Sequence, residues 1–430
     1  MPLYGQAIEK QTWDSLRARF GTVAPVEIAP GVATWLVLGY NETVEVLRNP
    51  STYSHDSRGW REITEGRVKP DSPLMPIFGY RPNVVFADGA EHHRLRAAIV
   101  DGLGRLTEQR IRADIREIAD QLIDRFVAVG RAEAIGQYAR WLPVLVMNRA
   151  YGMDDRSGYL LAELTRKVYD SDPATAAQAN QQIESYYAEL VSVKREQPGP
   201  DLPSWMMAHP AGLTDDELIQ QLAQMMNGNS EATTHLISNT LLALLGDRRL
   251  GNAYARSEVQ IEEAVNRVLW QDPPVPVLPA RYATADTRIL GTEVRAGDGV
   301  LLGLAAAHAD PVLGSPEAIS TSTHVNRAFL AWGAGPHRCP AERLARQIVY
   351  TAVGRLLQRL PGARLDAAVE ELAWHPTPFL RGLVELPVEF PPGEPLHPPA
   401  PPRGAAPTPA QPRRSSPWLS LLTSWARGRQ

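Results

Sequence analysis

The chain has 430 residues, a formal net charge of −4 and 44% hydrophobic residues, which is typical of a globular protein with a large core. The slightly acidic balance excludes a basic nucleic-acid-binding surface as the expected function. No run of 18 or more apolar residues occurs, and the opening MPLYGQAIEK is not a secretory leader. We therefore expect a cytoplasmic protein without a transmembrane segment.

Composition divides the chain at residue 391. Residues 391–430 contain 11 of the 37 prolines, five arginines and one glutamate, so they bury too little apolar surface to offset the entropy of ordering. We predict one domain over residues 1–390 and a disordered Pro/Arg-rich tail over 391–430. The stretch PWLSLLTSWARGR near the end of the tail is either a solvated segment or a short amphipathic contact for a partner or a membrane surface.

Helical periodicity dominates the predicted domain, whereas strand signals are few and short. We predict helices over 94–103, 108–129, 158–169, 176–193 and 258–271. Short strands are predicted over 280–283, 288–290, 294–304 and 383–390. The pattern is that of a mainly α protein with small β-sheets.

One predicted helix is unusually long. Thr214 and Glu217 form a capping box, and apolar residues then repeat at helical spacing until Asp247, which gives a helix of roughly 45 Å. Its middle, NGNSEATT from Asn227 to Thr234, is polar and weakly helical. This patch is either the solvent-exposed side of the helix or a local bulge that faces a functional partner.

Cys339 is the only cysteine, so an intramolecular disulfide and a Cys-rich zinc site are both excluded. Pro340 suits the first position of a helix, which would place the sulfur at a helix N-terminus, where backbone N–H groups and the helix dipole stabilise a thiolate. A nucleophile with His337 as its base, a redox sensor, a metal ligand and an inert buried thiol all remain open on these grounds.

The segment LAWGAGPHRCPA, residues 330–341, resembles the haem-binding loop of the cytochrome P450 superfamily, whose usual pattern is Phe-Gly-x-Gly-x-His/Arg-x-Cys-x-Gly. Trp332 and Ala341 replace the Phe and the final Gly. The resemblance extends over most of residues 1–390 and implies the cytochrome P450 fold, mainly α with small β-sheets, with a long distal helix over haem and a proximal Cys loop. It also implies that Cys339 is the axial ligand of haem iron.

The same resemblance supplies partners for the two haem propionates, which need cationic or hydrogen-bonding groups inside a protein. His92 and Arg96 in AEHHRLR lie four residues apart on one helix face. His337 matches a contact from the Cys loop, and Arg281 matches one from a strand after the Pro-Pro segment. We predict that these four side chains bind the propionates.

The long helix resembles the distal helix of the family, whose usual pattern is Ala/Gly-Gly-x-Asp/Glu-Thr. Glu231 occupies the acid position, but Ala232 stands where the family has the Thr that helps to deliver protons. Thr233, Thr234, a substrate hydroxyl or a water would have to substitute. Because Thr233 lies about 100° around the helix from Ala232, direct substitution requires a bulge.

A second departure concerns the Glu-x-x-Arg motif, where this chain has Arg267 and Trp270. The usual third member, an arginine, falls near His324. Loss of a single ion from a buried network costs about 3–5 kcal/mol, whereas replacement of the whole network by packed groups can be neutral. Trp270 is the expected filler, as in an actinobacterial subgroup, and Glu263 is the expected surface partner of Arg267.

The resemblance implies a monooxygenase with haem b that inserts one oxygen of O2 into a small apolar substrate. Electrons would come from NAD(P)H through a ferredoxin or flavodoxin and its reductase, because this chain has no flavin or iron–sulfur motif. The alternative is a haem-binding protein of the same fold with weak or no monooxygenase activity, acting as a ligand sensor or interaction scaffold. Substrate contacts are predicted from the loop 70–85 and from Met226, Gly228, Val277, Leu278 and Phe379.

Overall fold

The computed structural model describes residues 1–170, 173–314 and 327–397. Residues 1–395 form one compact unit. Its last residues are tied to the body, since the Gly393 amide donates to the carbonyl of Val127 at 2.9 Å. The unit therefore extends a few residues beyond the predicted boundary at 390. Most of the predicted tail, from residue 398 onward, and the position of His324 lie outside the described residues.

Helices make up most of this unit, as expected from the periodicity of the sequence. In chain order they are α1 (Lys10–Phe20), α2 (Tyr40–Arg48), α3 (Arg61–Thr64), α4 (Met75–Phe78), α5 (Gly89–Gly104), α6 (Glu108–Ile123), α7 (Trp141–Ala150), α8 (Asp155–Asp170), α9 (Pro173–Glu196), α10 (Leu202–Met207), α11 (Asp215–Gly246), α12 (Arg248–Ala255), α13 (Ile261–Gln271), α14 (Leu304–His308) and α15 (Glu342–Arg359). A five-residue π-helix, Ile135–Ala139, leads into α7. No helix among the described residues is both long enough and apolar enough to cross a bilayer.

The strands form three small sheets. They are β1 (Val23–Ala29), β2 (Val32–Val37), β3 (Tyr53–Ser54), β4 (Arg131–Glu133), β5 (Leu278–Ala283), β6 (Thr287–Ile289), β7 (Thr292–Val294), β8 (Gly299–Leu302), β9 (Arg364–Leu365) and β10 (Pro387–Glu389). The largest sheet has the order β1-β2-β8-β5-β3, a second has the order β4-β10-β9, and β6 pairs with β7. The predicted fold class, mainly α with small sheets, is confirmed.

The five-stranded sheet separates two apolar clusters because alternate residues of a strand face opposite sides. Leu36 and Leu301 pack with Trp60 on one face, and Val37 and Leu302 pack on the other. β2 and β8 are parallel, with Leu36 opposite Leu301. This packing fixes the strand β5 beside β8, and β5 carries Arg281.

Helix α11 is the long helix that the sequence predicts, and it begins with the predicted capping box of Thr214 and Glu217. Of the two alternatives for its polar middle, a bulge is excluded, because the helix is α-helical throughout its 32 residues. Most of its polar middle is not a solvent face either, since Ser230, Thr233 and Thr234 are at most 3% exposed, whereas Asn227 and Gly228 are exposed. Ser230 satisfies its hydroxyl within the helix by donating to the carbonyl of Met226 at 2.7 Å, so no bulge is needed.

Several element boundaries differ from the sequence prediction. α6 ends at Ile123 and is followed by turns, six residues before the predicted end at Val129. The predicted strand 294–304 is divided into the end of β7, the strand β8 and the start of α14. Strands β1 and β2, near the N-terminus, were not predicted. They alternate buried and exposed residues only in part, which weakens the period-two signal.

Candidate active site

Residues 330–341, called the Cys loop here, form a tight turn that presents Cys339. The Gly333 amide donates to the carbonyl of Leu330 at 2.7 Å, and the Cys339 amide donates to the carbonyl of Trp332 at 2.8 Å. Gly335 has φ of 68°, and a Cβ added there would lie 2.4 Å from the carbonyl oxygen of Leu47. Only glycine fits at this position, so the loop can lie directly against the end of α2.

The sulfur of Cys339 is partly buried, and burial raises the pKa of the thiol above its ordinary value. A hydrogen bond from the Ala341 amide and the charges of Arg96 and Arg338 act in the opposite direction but do not outweigh burial. The predicted helix start at Pro340 is wrong, because α15 begins at Glu342. The N-cap residue of this helix, Ala341, supplies the backbone N–H group that reaches the sulfur.

Two adjoining cavities, of about 530 and 270 Å³, open on the sulfur of Cys339. Both are lined by Gly228 and Ala232 of α11 on one side and by Trp332 and His337 of the Cys loop on the other. A cysteine, a long helix and a space between them therefore occur together, although they come from distant parts of the chain.

The face of α11 toward these cavities carries Gln224, Gly228 and Ala232, which recur at intervals of four residues. Thr233 borders the smaller cavity, and its hydroxyl lies 3.3 Å from Oδ1 of Asn229. Thr234 points elsewhere, because its hydroxyl donates to the carbonyl of Ala139 at 3.3 Å. The cavity face thus has a methyl group at 232 and a hydroxyl beside it at 233.

Glu231 is not among the residues that line either cavity. Its Oε2 lies 3.5 Å from Nε2 of His235, one helical turn further along α11. Burial raises the pKa of Glu231, but the hydrogen bond from His235 and the charges of His235, Arg140 and His375 outweigh burial and lower it. Glu231 therefore holds its negative charge on the flank of the helix.

The four side chains predicted as propionate partners, called the propionate cluster here, come together beside the cavity. Arg281 and His337 line its wall, and His92 stacks on His337 with ring centroids 3.8 Å apart. Arg96 donates from Nη2 to the carbonyl of Arg338 at 2.5 Å, within the Cys loop. Among the described residues, Nε2 of His92 and Nε of Arg281 are buried without a hydrogen-bond partner, whereas Nε2 of His337 lies 3.3 Å from Oδ1 of Asp88.

Burial sets the protonation of this cluster. It lowers the pKa of His92 to about 4, helped by the charges of His337 and Arg96, and it lowers the pKa of Arg281 to about 10. Burial also lowers the pKa of His337. A carboxylate ligand would raise the pKa values of these groups again, because an opposite charge favours the protonated form. It would also accept hydrogen bonds from the nitrogens that have no partner.

The sequence did not indicate two further members of this region, His55 and Asp88. The ring of His55 covers the other face of His337, and its Nδ1 lies 2.8 Å from Oδ1 of Asp88. Asp88 also accepts from the Ser54 hydroxyl at 2.7 Å and from the His55 amide at 2.8 Å. No local motif could have indicated this pair, because Asp88 follows His55 by 33 residues.

The predicted substrate contacts divide into two groups. Gly228 and Leu278 line the larger cavity. Val277 and Phe379 instead pack in the core beside the five-stranded sheet, and Met226 is 1% exposed and absent from both cavity walls. Neighbouring Met225 lines the smaller cavity, since one residue shifts a side chain about 100° around a helix. The loop 70–85 contributes Pro76, Ile77, Phe78, Arg81, Asn83 and Val85.

The chain is also similar to known proteins, although no family model matches it. PikC, a cytochrome P450 monooxygenase of Streptomyces venezuelae, is 30% identical over 386 residues, which cover 88% of this chain and 90% of the relative. The similarity in sequence and the cysteine site therefore indicate the same family. The chain is a cytochrome P450.

Other P450s agree with this assignment. The vitamin D(3) 25-hydroxylase of Pseudonocardia autotrophica is 27% identical over 371 residues, covering 84% of this chain and 89% of the hydroxylase. Among solved structures, CYP154A1 of Streptomyces coelicolor A3(2) superposes with a TM-score of 0.80 at 26% identity, covering 91% of this chain and 100% of that one. The protein is therefore a haem monooxygenase, an oxidoreductase of the P450 type.

The residues present in this P450 fit a haem group. The donor set is appropriate, since a single thiol faces the cavity from one side and unpartnered histidine and arginine nitrogens lie at its edge. Gly228 leaves the distal wall open, because the only atom within 4 Å of an added Cβ would be the side-chain nitrogen of Gln224. A flat ligand is accommodated between α11 and the Cys loop on these grounds.

Proposed function

We propose that this P450 binds haem b through Cys339 and oxidises a small, largely apolar molecule with one oxygen of O2. The observation that supports this most directly is the cavity shared by Cys339 and the small-residue face of α11. Bound at this thiolate, haem supplies the activation of O2. Every other part of the reaction depends on how the protein positions the substrate, protons and electrons.

The propionate cluster would orient the haem. Arg281 and His337 approach from the cavity wall, whereas His92 and Arg96 extend from α5. Asp88 holds its negative charge, because hydrogen bonds from His337 and His55 outweigh burial and keep the pKa of the carboxyl well below its ordinary value. Asp88 thus fixes the two histidines, and the arginines provide the charge for the propionates.

The substrate class follows from the walls of the larger cavity. Apolar side chains such as Phe86, Ile183 and Leu278 lie beside the amides of Gln220, Gln224 and Asn227. We expect an apolar body with at least one hydrogen-bonding group, because a substrate that fills the cavity would displace water from these amides and leave them without a partner, which is costly. Of the residues predicted as substrate contacts, Gly228 and Leu278 are the ones that this proposal retains.

Proton delivery is assigned to Glu231 and Thr233. The hydroxyl of Thr233, with Asn229, is the nearest side-chain relay to the cavity on α11, and Glu231 with His235 holds charge on the adjacent flank. Thr234 is assigned a weaker role, since its hydroxyl is committed to the carbonyl of Ala139. A substrate hydroxyl or a water at Ala232 would complete the path.

Electrons are proposed to come from NAD(P)H through a ferredoxin or flavodoxin and its reductase, in the cytoplasm. A tail contact with a partner or a membrane surface is the additional role proposed for residues 391–430. Neither proposal depends on which atom delivers the proton.

The test is the reduced, carbon monoxide-bound spectrum of the purified protein. We expect a band typical of thiolate-ligated haem in the natural protein and its loss in Cys339→Ala, with Thr234→Val as a control that retains it. A band typical of neutral thiol or histidine ligation in the natural protein would contradict the assignment of Cys339. Product formed with NAD(P)H and surrogate redox partners, from a panel of apolar substrates, tests the monooxygenase step.

A further inference from the structure

His308, the last residue of α14, bridges two backbone groups in the interior of the protein. Its Nδ1 lies 3.2 Å from the carbonyl oxygen of Trp270, and its Nε2 lies 2.7 Å from the amide nitrogen of Leu330. The residue is 4% exposed. Because an amide can only donate and a carbonyl can only accept, the two partners fix the tautomer: Nδ1 carries the proton and Nε2 accepts.

This bridge connects α13 to the first residue of the Cys loop. From Leu330 the connection continues, since its carbonyl accepts from the Gly333 amide at 2.7 Å and the Trp332 carbonyl accepts from the Cys339 amide at 2.8 Å. A short series of hydrogen bonds thus leads from α13, through His308, to the residue that carries the sulfur.

An indole, a phenyl ring and one guanidinium lie around the bridge. The ring of Trp270 meets the rings of His308 and Phe329 edge-on, with centroids 5.0 and 5.9 Å away. Arg346 of α15 lies over Phe329 at 5.6 Å and donates to Oδ1 of Asn266, also on α13, at 3.0 Å. α13 is therefore linked to the start of the Cys loop through Trp270 and His308, and to α15 through Asn266.

The charged residue at the motif position faces the other way. Arg267 donates to Oδ2 of Asp247 at 3.0 Å and to Oε1 of Gln271 at 3.1 Å, and it is about one-third exposed. The expected pairing with Glu263 is wrong, because Asp247 at the end of α11 is closer in the fold. Arg267 accordingly does not take part in holding the Cys loop.

We propose that His308 is a positioning residue for the thiolate ligand, and that its neutral bridge from Trp270 to Leu330 holds the Cys loop where the resemblance in sequence led us to expect a Glu-x-x-Arg ion network. A neutral bridge avoids the desolvation of buried ions. The inference rests on the proposed function in that Cys339 is taken as the haem ligand.

Two conservative variants separate the two hydrogen bonds of the bridge. The side-chain amide of glutamine reaches the position of Nε2, so His308→Gln keeps an acceptor for the Leu330 amide. The shorter amide of asparagine reaches only the position of Nδ1, so His308→Asn keeps the bond to Trp270 and loses the bond to Leu330. Both variants are uncharged, and His93→Gln on the exposed face of α5 is a matched control.

The first measurement is amide hydrogen exchange in the peptide over residues 328–333 of the full-length protein. We expect His308→Gln to exchange at the natural rate within about threefold and His308→Asn to exchange at least tenfold faster in this peptide, with other peptides unchanged. Equal exchange in the two variants would overturn the proposal, and this readout does not require haem.

The second measurement follows the conversion of the thiolate-type carbon monoxide band to the neutral-thiol type in increasing urea, with far-UV circular dichroism recorded at the same concentrations. We expect His308→Asn to convert before its helices unfold, whereas His308→Gln converts together with unfolding. Conversion coincident with unfolding in both variants would show a merely structural histidine. A natural protein that binds haem without the thiolate band would contradict the proposed function instead.

Discussion

The imidazole of His55 lies flat against that of His337, with ring centroids 3.4 Å apart and planes 15° from parallel. The opposite face of His337 stacks on His92, so three rings form one pile beside the larger cavity. Asp88 fixes the outer ring through Nδ1 of His55. His337 is the ring in the middle and comes from the Cys loop, so its position depends on the rings of His55 and His92 that cover its two faces.

We predict that His55→Ala weakens haem retention without unfolding the protein. Removal of the ring uncovers one face of His337, while Asp88 keeps its bonds to the Ser54 hydroxyl and to the amide of residue 55. Loss of one such hydrogen bond corresponds to ~0.5–1.5 kcal/mol, or a haem transfer to excess apomyoglobin faster by about twofold to tenfold. The control is His93→Ala on the exposed face of α5. An unchanged transfer rate in His55→Ala would contradict a role in the cluster.

Two glycines of the Cys loop provide a second prediction, because they share a backbone conformation but not their surroundings. Gly333 and Gly335 have φ of 69° and 68°. An added Cβ at Gly333 finds no atom closer than 3.8 Å, whereas at Gly335 it lies 2.4 Å from the carbonyl of Leu47. We expect Gly333→Ala to cost about 1–2 kcal/mol of unfolding free energy from strain alone. Gly335→Ala should cost clearly more, because α2 and the loop must separate. Urea unfolding of both variants measures the two costs. Equal costs would mean that the contact between an added Cβ at Gly335 and the carbonyl of Leu47 has no effect on stability.

The sequence predicts those features of the site that lie within one segment. The capping box and the apolar repeat locate α11, and the glycine-flanked cysteine locates the Cys loop. The face of α11 was harder to assign, because apolar residues occur on both sides of the helix. Met226 was therefore predicted at the cavity, where Met225 lies instead.

Contacts between distant segments could not be predicted from spacing. His55 meets His337 because β3 pairs with β5 beside α5, a pairing that no local pattern encodes. The sequence also could not show that the pKa of Cys339 is raised, because burial of the sulfur is a property of the folded loop. Burial outweighs the hydrogen bond from the nearby N–H group. The replacement of the Glu-x-x-Arg motif shows the same limit, since His308 comes from a separate helix.

A third prediction concerns the attachment of α15, the helix after the Cys loop, to α6. Asp120 is 8% exposed and accepts from Arg355 at 2.8 and 2.9 Å and from Arg359 at 2.8 Å. Asp120→Asn leaves Arg355 without its carboxylate partner, whereas Arg359 keeps its ion pair with Asp124 at 2.6 Å. We therefore expect a loss of about 1–3 kcal/mol in unfolding free energy. Glu389→Gln is the matched control, because its partner Arg364 is 74% exposed and such a pair contributes at most ~1 kcal/mol. Equal losses in urea unfolding would show that Asp120 has no special role.

The hydroxyls of Thr233 and Thr234 allow a fourth prediction. Thr234→Val removes a bond to the carbonyl of Ala139 in the interior, so we expect a loss of about 1 kcal/mol in stability and only a small change in the coupling of NAD(P)H oxidation to product. Thr233→Val removes the hydroxyl beside Asn229 at the cavity, so we expect more hydrogen peroxide per NAD(P)H oxidised. Measurement of peroxide and product in both variants distinguishes the two roles. More peroxide in Thr234→Val than in Thr233→Val would contradict the assignment of Thr233.

The protonation of His308 predicts how stability changes with pH. Burial lowers its pKa from 6.5 to about 4, and the hydrogen bond with the Trp270 carbonyl opposes this only in part. Between these values the unfolded chain binds a proton that the folded protein does not, so the unfolding free energy decreases as the pH falls from about 6.5 to about 4. The contribution of His308 is complete above pH 6.5 and decreases at up to ~1.4 kcal/mol per pH unit below it.

The comparison with His308→Gln isolates this contribution, because glutamine has no proton to gain while His55 and His92, whose pKa values burial also lowers, are unchanged. The cavity beside His308 is lined by four charged side chains, Glu9, Lys10, Asp272 and Arg381. The pKa shift of His308 comes from burial and from the Trp270 carbonyl, not from these charges. We therefore expect urea unfolding at a series of pH values to give a shallower decline below pH 6.5 for His308→Gln than for the natural protein. Parallel curves for the two proteins would mean that the pKa of His308 is the same in the folded and unfolded protein. That result would contradict the hydrogen bond from the Leu330 amide, which requires Nε2 to be unprotonated in the fold.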